Sequence, residues 1–144
     1  MKSMSFHMVS RIHISAHGRE PPTDEDWTAY LQHIKANIRD IDGLIVFTAG
    51  GAPTAAQREA TSRFWAGEHR RPRIAVLTPS VFVRTIVMAM TWSMGQQIRA
   101  FSADDFEGAF SYLALTLVQR VKVREELLRL RSELLEVTSS RAAG

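Results

Sequence analysis

The chain has 144 residues, 45% of them hydrophobic, which is enough for one domain of ordinary size built on a single core. It contains no cysteine, so disulfides, thiolate metal sites, thiol nucleophiles and iron–sulfur ligation are excluded, and a cytoplasmic setting is the expectation. Net charge is only +3, so nucleic-acid binding is not demanded.

The first seven residues turn polar too soon for the apolar core of a signal peptide and read as mature sequence. Phe6 to Ala16 alternates: Phe6, Met8, Ser10, Ile12, Ile14 and Ala16 form one face, and His7, Val9, Arg11, His13 and Ser15 the other. This predicts a strand with one wetter face. After a break at Gly18 to Pro22, Thr23 and Asp26 stand at capping-box spacing, and Trp27, Tyr30, Leu31, Ile34, Ile38 and Ile41 predict an amphipathic helix of about four turns.

Leu44 to Phe47 is an unbroken apolar run, the signature of a strand buried on both faces. Gly50-Gly51-Ala52-Pro53 makes a loop, and Thr54 with Gln57 opens a helix carrying Ala60, Phe64 and Trp65. Ile74 to Leu77 repeats the buried strand, Ser80 caps a helix from Val81 to about Ser93, and Gly95 stops it. The apolar stretch from Val81 to Met94 carries Arg84 and falls short of the ~20 residues that a membrane span needs. Trp65 and Trp92 sit among apolar neighbours, and packing predicts burial for both. Ile98 to Phe101 is a fourth strand. Ser102 with Asp105 forms a third box before a helix carrying Phe106, Ala109, Phe110, Leu113 and Leu117.

Short apolar strands alternating with helical crossovers imply a parallel α/β sheet. The fold expected is a small open sheet of about four to five strands alternating with helices, plus a long C-terminal helix. From Ala103 to about Thr138 only Gly108 interrupts, so one helix of about 36 residues and ~54 Å is expected. That is too long for its own domain to cover. The boundary is therefore drawn with a domain at 1–118 and a helical arm with a frayed tail at 119–144.

Along that arm Val123, Leu127, Leu130, Leu134 and Val137 alternate spacings of four and three, the seam of a left-handed coiled coil. Leu128 and Leu135 widen the stripe. Two outcomes follow: the seam joins a second copy or a partner helix, or the helix docks back on its own domain.

Open α/β sheets bind ligands at the carboxyl ends of their strands. Those ends read Thr48 to Gly51, Thr78-Pro79-Ser80 and Phe101-Ser102, with no carboxylate or histidine, so no catalytic residue is assigned. Gly50, Gly51 and Thr54 could cradle an anion at a helix N-terminus, or make a plain strand-to-helix turn. The histidines at 7, 13, 17, 33 and 69 show no ligand spacing. His7 and His13 would lie about 20 Å apart on one extended strand, so neither metal nor cofactor is expected. His69 to Arg73, with Arg63, is the one dense basic run and reads as a solvated loop or a phosphate contact.

From about Phe6 to Leu115 the chain resembles a STAS-type domain of the SpoIIAA-like kind, the bacterial anti-sigma factor antagonist fold. The resemblance rests on Arg73-Ile74-Ala75-Val76-Leu77-Thr78 before a helix, and on Ile98-Arg99-Ala100-Phe101-Ser102 followed by Asp105 and the Ala109 to Leu113 helix face. It implies a small sheet with helices mostly on one face, no enzymatic activity, and a role in partner switching or small-ligand binding. The family's switch serine has no counterpart in Gly51-Ala52-Pro53-Thr54, where only Thr54 could accept phosphate. The function expected is a non-enzymatic regulatory or scaffold module that self-associates or binds a partner helix through the arm. The alternative is a small-ligand or anion-binding module using the Gly50 to Thr54 turn.

Overall fold

The computed structural model describes the backbone of residues 3–94 and 97–143, and side chains as far as 92 and from 97 to 134. Gly95, read as a helix stop, lies outside the described residues. The expected single N-terminal strand is instead a hairpin of β1 (Met4–Val9) and β2 (Ile12–His17), paired antiparallel with His7 opposite Ile14 and Met8 opposite His13. Ser10 and Arg11 turn the chain with φ of 48° and 70°, the left-handed pair of a two-residue hairpin turn. Neither is glycine, so the alternation gave no sign of a turn. Tertiary contacts hold Arg11 there: its Nε donates to Asp42 Oδ2 at 2.9 Å, and its carbonyl accepts from the Asp42 N–H at 2.8 Å.

Helix α1 (Asp24–Asn37) starts at Thr23, whose Oγ1 accepts from the Asp26 N–H, and a short 3-10 turn at Ile38–Asp40 leads to β3 (Gly43–Thr48). Then come α2 (Ala55–Ala66), β4 (Ile74–Leu77), α3 (Val81–Met94), β5 (Ile98–Phe101), α4 (Phe106–Tyr112) and α5 (Leu117–Ala143). The five strands lie in chain order, β1 antiparallel to β2 and the rest parallel. Runs 44–47 and 74–77 form interior strands, packed on both faces except for a half-buried Val46.

Helices cover both faces. On one, α1, α2 and α3 bring Trp27, Tyr30, Ile34, Trp65, Val83 and Val87 over Leu44, Ile74, Val76 and Ile98. On the other, α4 and α5 bring Phe106, Phe110, Val123, Leu127 and Leu130 over Ile12, Ile14, Ile45 and Leu77. The division is three and two, where the STAS resemblance implies helices mostly on one face.

Two expectations about the C-terminal half are corrected. The long helix is broken: α4 stops after two turns, Ala114 takes φ 55°, and a second capping pair restarts the chain, with the Thr116 N–H donating to Gln119 Oε1 and the Gln119 N–H to Thr116 Oγ1. Asp105, rather than Ser102, caps α4, its Oδ1 accepting from the Gly108 N–H at 2.9 Å. The arm also does not project along its first four turns. Val123, Leu127 and Leu130 are fully buried against β1 and β2, Leu134 packs at the edge of that core, and α5 continues to Ala143. Val137 lies beyond the residues whose side chains are described. The break lets the chain reverse, so a helix too long to be covered end to end becomes the lid of a second core.

Leu127→Ala should therefore lower unfolding stability by about 2–5 kcal/mol, the range for a large-to-small change in a core. Urea denaturation reads that loss, and light scattering should show an unchanged particle mass. A drop in mass with stability intact would place Leu127 in a contact between chains instead.

Candidate functional site

Because β2 ends beside β3, with His17 opposite Thr48, the carboxyl edge of the sheet gains a histidine that the sequence reading left out. His13, Ser15 and His17 occupy alternate positions of β2, roughly 7 Å apart, all on the side covered by α1. Of the face expected to be wetter, His7 and Arg11 are exposed, whereas His13 and Ser15, on β2, are fully buried together with His17. Three polar atoms of this row, His13 Nδ1, Ser15 Oγ and His17 Nδ1, have no hydrogen-bond partner of ordinary geometry, though Ser15 lies beside the Tyr30 phenol. Each orphan costs about 1–3 kcal/mol, so three in one row of a strand form a concentrated departure from ordinary core construction.

His13 and His33 were far apart in sequence and become a pair: Nε2 of one lies 2.9 Å from Nδ1 of the other, one ring donating and one accepting. Phe6 stacks on His13 at 6.2 Å between centroids, and Tyr30 meets it edge-on at 5.5 Å. Burial pushes the His13 imidazole down to about 3, helped by the neighbouring His33 and His7, and burial alone brings His17 down to about 4. His33, less enclosed, is also lowered, mainly by burial. His17 is thus a neutral ring and a weak base near pH 7, suited to holding a hydrogen bond rather than a proton. No signal in the sequence joined 13 to 33; only the docking of α1 on β2 does. Among the described residues no group of three or more metal-ligating side chains converges.

His17 opens on an apolar cavity of about 70 Å³ beneath α1, α2 and α3. Trp27 and Trp65 line it, and their polar neighbour Thr61 is satisfied, accepting from Trp27 Nε1 at 2.9 Å and donating to the Gln57 carbonyl at 2.7 Å.

The Gly50 to Thr54 turn borders this cavity, but its donors face inward. The Gly50 N–H donates to Thr48 Oγ1, the Gly51 N–H to the Gly18 carbonyl at 2.9 Å, and the Thr54 N–H to Gln57 Oε1 at 3.0 Å. Thr54 itself is exposed, its hydroxyl accepting from the Gln57 N–H at 3.2 Å. A Cβ on Gly51 would stand 2.1 Å from the Glu20 carbonyl, so this glycine is required by close packing of two backbones. Gln57 Nε2 then ties α2 to the Pro22 carbonyl and Asp24. The turn is an internal brace.

The basic run is a brace as well. Arg70 donates to the Arg39 carbonyl and to Asp42, and Arg73 to the Tyr112 carbonyl and Gln97. The hydrogen bond from Arg11, with that from Arg70 on the other side, holds the Asp42 carboxyl below its usual range.

The clearest departure from expectation is α3. Val83, Val87 and Met90 face the core, and Trp92, nine residues or about two and a half turns beyond Val83, points the opposite way. Trp92 is 86% exposed, with Val81 at 69%, Phe82 at 68% and Met88 at 64%. Val81, Thr85, Met88 and Trp92 alternate spacings of four and three along this outer face. The heptad-like stripe open to solvent is therefore here, whereas Val123, Leu127 and Leu130 of the one read on α5 are buried. On α5 the large apolar residues left outside, among those described, are Leu117, Val118, Val121 and Leu128.

A groove of about 390 Å³ separates Met88 and Trp92 from the edge strand β5. Arg84 and Arg99 line it, and Arg84 Nε is buried without a hydrogen-bond partner. Between Val81 and Phe101 the chain has these two arginines and no acidic residue. No described helix is long and apolar enough to cross a membrane.

No protein-family model matches this chain, and neither a curated protein nor a solved structure matches it with significance.

Histidines that stay neutral when folded but ionise when unfolded make stability depend on pH. For His13 and His17 the stabilisation is complete above the ordinary value of 6.5 and is lost as pH falls toward their folded values of about 3 and 4 respectively. Urea midpoints should therefore drop between pH 7 and pH 5 by about 2 kcal/mol per histidine, a window that lies above ordinary carboxylate titration. His17→Leu should flatten the slope by about half. A flat profile in the native chain would mean that both rings take up protons in place.

Proposed function

We propose that this chain is a non-enzymatic, STAS-like interaction module that docks an acidic amphipathic helix of a partner protein on the outer face of α3, beside β5. The observation that carries this reading is the exposed stripe of Val81, Met88 and Trp92, with Phe82 beside it. Four large apolar side chains on one helix, each more than three-fifths exposed, exceed what a surface helix needs for its own fold. Their spacing suits helix-in-groove recognition, in which anchors repeat every three or four residues.

Charge selects the partner. A second copy packing α3 on α3 would set Arg84 and Arg99 against their own counterparts, whereas a helix bearing Asp or Glu beside its apolar anchors would pair both guanidinium groups. Joining a second copy through the Val123 to Val137 seam is less favoured, because Val123, Leu127 and Leu130 are buried in the domain's own core.

A benzophenone side chain placed at Met88 and irradiated in the native cells tests the reading, with the same probe at Leu128 as control. The adduct expected at Met88 joins an amphipathic, acid-bearing segment of another protein, identified from the cross-linked peptide. Phe82→Glu with Trp92→Glu should abolish it while melting stays within about 0.5 kcal/mol of wild type, both sites being exposed. An adduct of twice the chain's mass, or none that depends on Phe82 and Trp92, overturns the proposal.

A further inference from the structure

The sheet has two edge strands, and they are built differently. β5 is four residues long and carries Arg99, two features that keep an edge strand from pairing with another chain. β1 has no such protection. All six of its residues stay in register with β2 without a bulge, and Met4 to Val9 contains no proline, lysine, arginine or carboxylate.

Hydrogen-bond parity fixes which backbone groups of β1 are free. The two-residue turn makes Val9 and Ile12 a hydrogen-bonded pair, so Val9, His7 and Ser5 spend their N–H and C=O groups on β2. Those of Met8, Phe6 and Met4 point away from it. Met4 is 3% exposed and closed off, whereas Phe6 and Met8 are half-buried. Among the described residues no backbone hydrogen bond reaches the outward groups of Phe6 and Met8.

We infer that β1 pairs antiparallel with β1 of a second copy, about a two-fold axis at His7, joining two five-stranded sheets into one. In that register Phe6 lies opposite the second copy's Met8, and Met8 opposite its Phe6, each pair exchanging both backbone hydrogen bonds. Both side chains lie on the face under α1, so a thioether meets an aromatic ring at each crossing. On the other face stand two charges of α5, with Glu126 Oε1 3.6 Å and Arg129 Nη2 3.3 Å from His7 Nε2. A two-fold at His7 turns this acidic and basic pair end for end, so opposite signs meet across the axis. At α3 the same operation sets arginine on arginine. A second copy therefore suits this edge as it does not suit that face. Pairing consumes the one unprotected edge of each copy, so assembly closes at two. The interface lies at the opposite side of the sheet from β5 and does not depend on the docking proposed for α3.

Because the chain has no cysteine, a single introduced one reports the register. The two copies of residue 7 form a non-hydrogen-bonded pair, about 4.5 Å between Cα atoms and within disulfide range. Residue 5 is offset from its counterpart by four residues, about 13 Å along the strand. In the full-length chain under air oxidation, His7→Cys should give a disulfide-linked dimer on a non-reducing gel, and Ser5→Cys at least tenfold less. Light scattering of the native chain should give twice the chain mass. Met8→Pro removes an outward N–H and leaves the β2 ladder intact, so it should raise the dissociation constant at least tenfold with an unchanged circular dichroism spectrum. Should Met8→Pro fail to fold, the two cysteine variants decide alone. A native chain that stays monomeric at NMR concentrations overturns the inference, as does equal cross-linking at positions 5 and 7. So does a folded Met8→Pro variant that remains dimeric, or a monomer whose β1 pairs with a strand of a different protein.

Discussion

Every residue of β2 is buried, and a strand can reach that state only if a layer packs on each side of it. Ile12, Ile14 and Ala16 look toward α5, and His13, Ser15 and His17 toward α1. Much of the architecture follows from meeting both demands. α4 is two turns long and packs chiefly on β4, and after the break at Ala114 a second helix crosses β1 and β2. The first part of the C-terminal helix is in this sense a structural layer of the domain. Removing the apolar face of α5 would uncover the strand on which both the hairpin and the parallel sheet are built.

The other side of β2 is where the molecule departs from the rules that build the rest. A position facing a helix layer is ordinarily apolar, as Leu44, Ile74 and Val76 are on the neighbouring strands. Here three successive positions are polar, and the paired rings of His13 and His33 give the layer only part of its hydrogen bonding. Two of the imidazoles are held neutral by burial rather than by a compensating charge. Sequences that violate local design rules at clustered positions generally do so where a ligand or a switch is served. The cavity that begins at His17 supplies the physical context for one end of this row.

At the surface, charge is used in two ways. Around Asp42 it closes loops: Arg11 from the hairpin turn and Arg70 from the α2–β4 connection meet on one carboxylate, so the amino ends of β2, β3 and β4 are drawn together. Around α3 it is left open, with Arg84 and Arg99 bordering an apolar groove on the edge of the sheet. The Gly50 to Thr54 turn belongs to the first kind of construction despite its resemblance to an anion cradle. Its amide donors meet Thr48, Gly18 and Gln57 within the chain.

Local pattern was sufficient wherever one element's own periodicity carried the information. The apolar runs at 44–47, 74–77 and 98–101 and the caps at Thr23 and Thr54 are local signals, and they located β3, β4, β5, α1 and α2 closely. It failed where a distant contact decided the outcome. The turn at Ser10-Arg11 has no turn residues and depends on Asp42, thirty-one positions away from Arg11. The seam from Val123 has the same spacing whether its partner is another helix or the sheet, because an apolar stripe specifies burial and not what buries it. Trp92 shows the converse. Its neighbours in sequence are apolar, yet its direction is fixed by which turn of α3 faces β4 and β5, a choice made by the packing of Val83, Val87 and Met90. The sequence by itself thus determined the alternation of strands and helices and the double burial of the sheet's centre. Only the tertiary structure decided which stripe was covered, which was left open, and that His17 would stand at the end of a cavity, since these depend on how layers meet rather than on any periodicity within one of them.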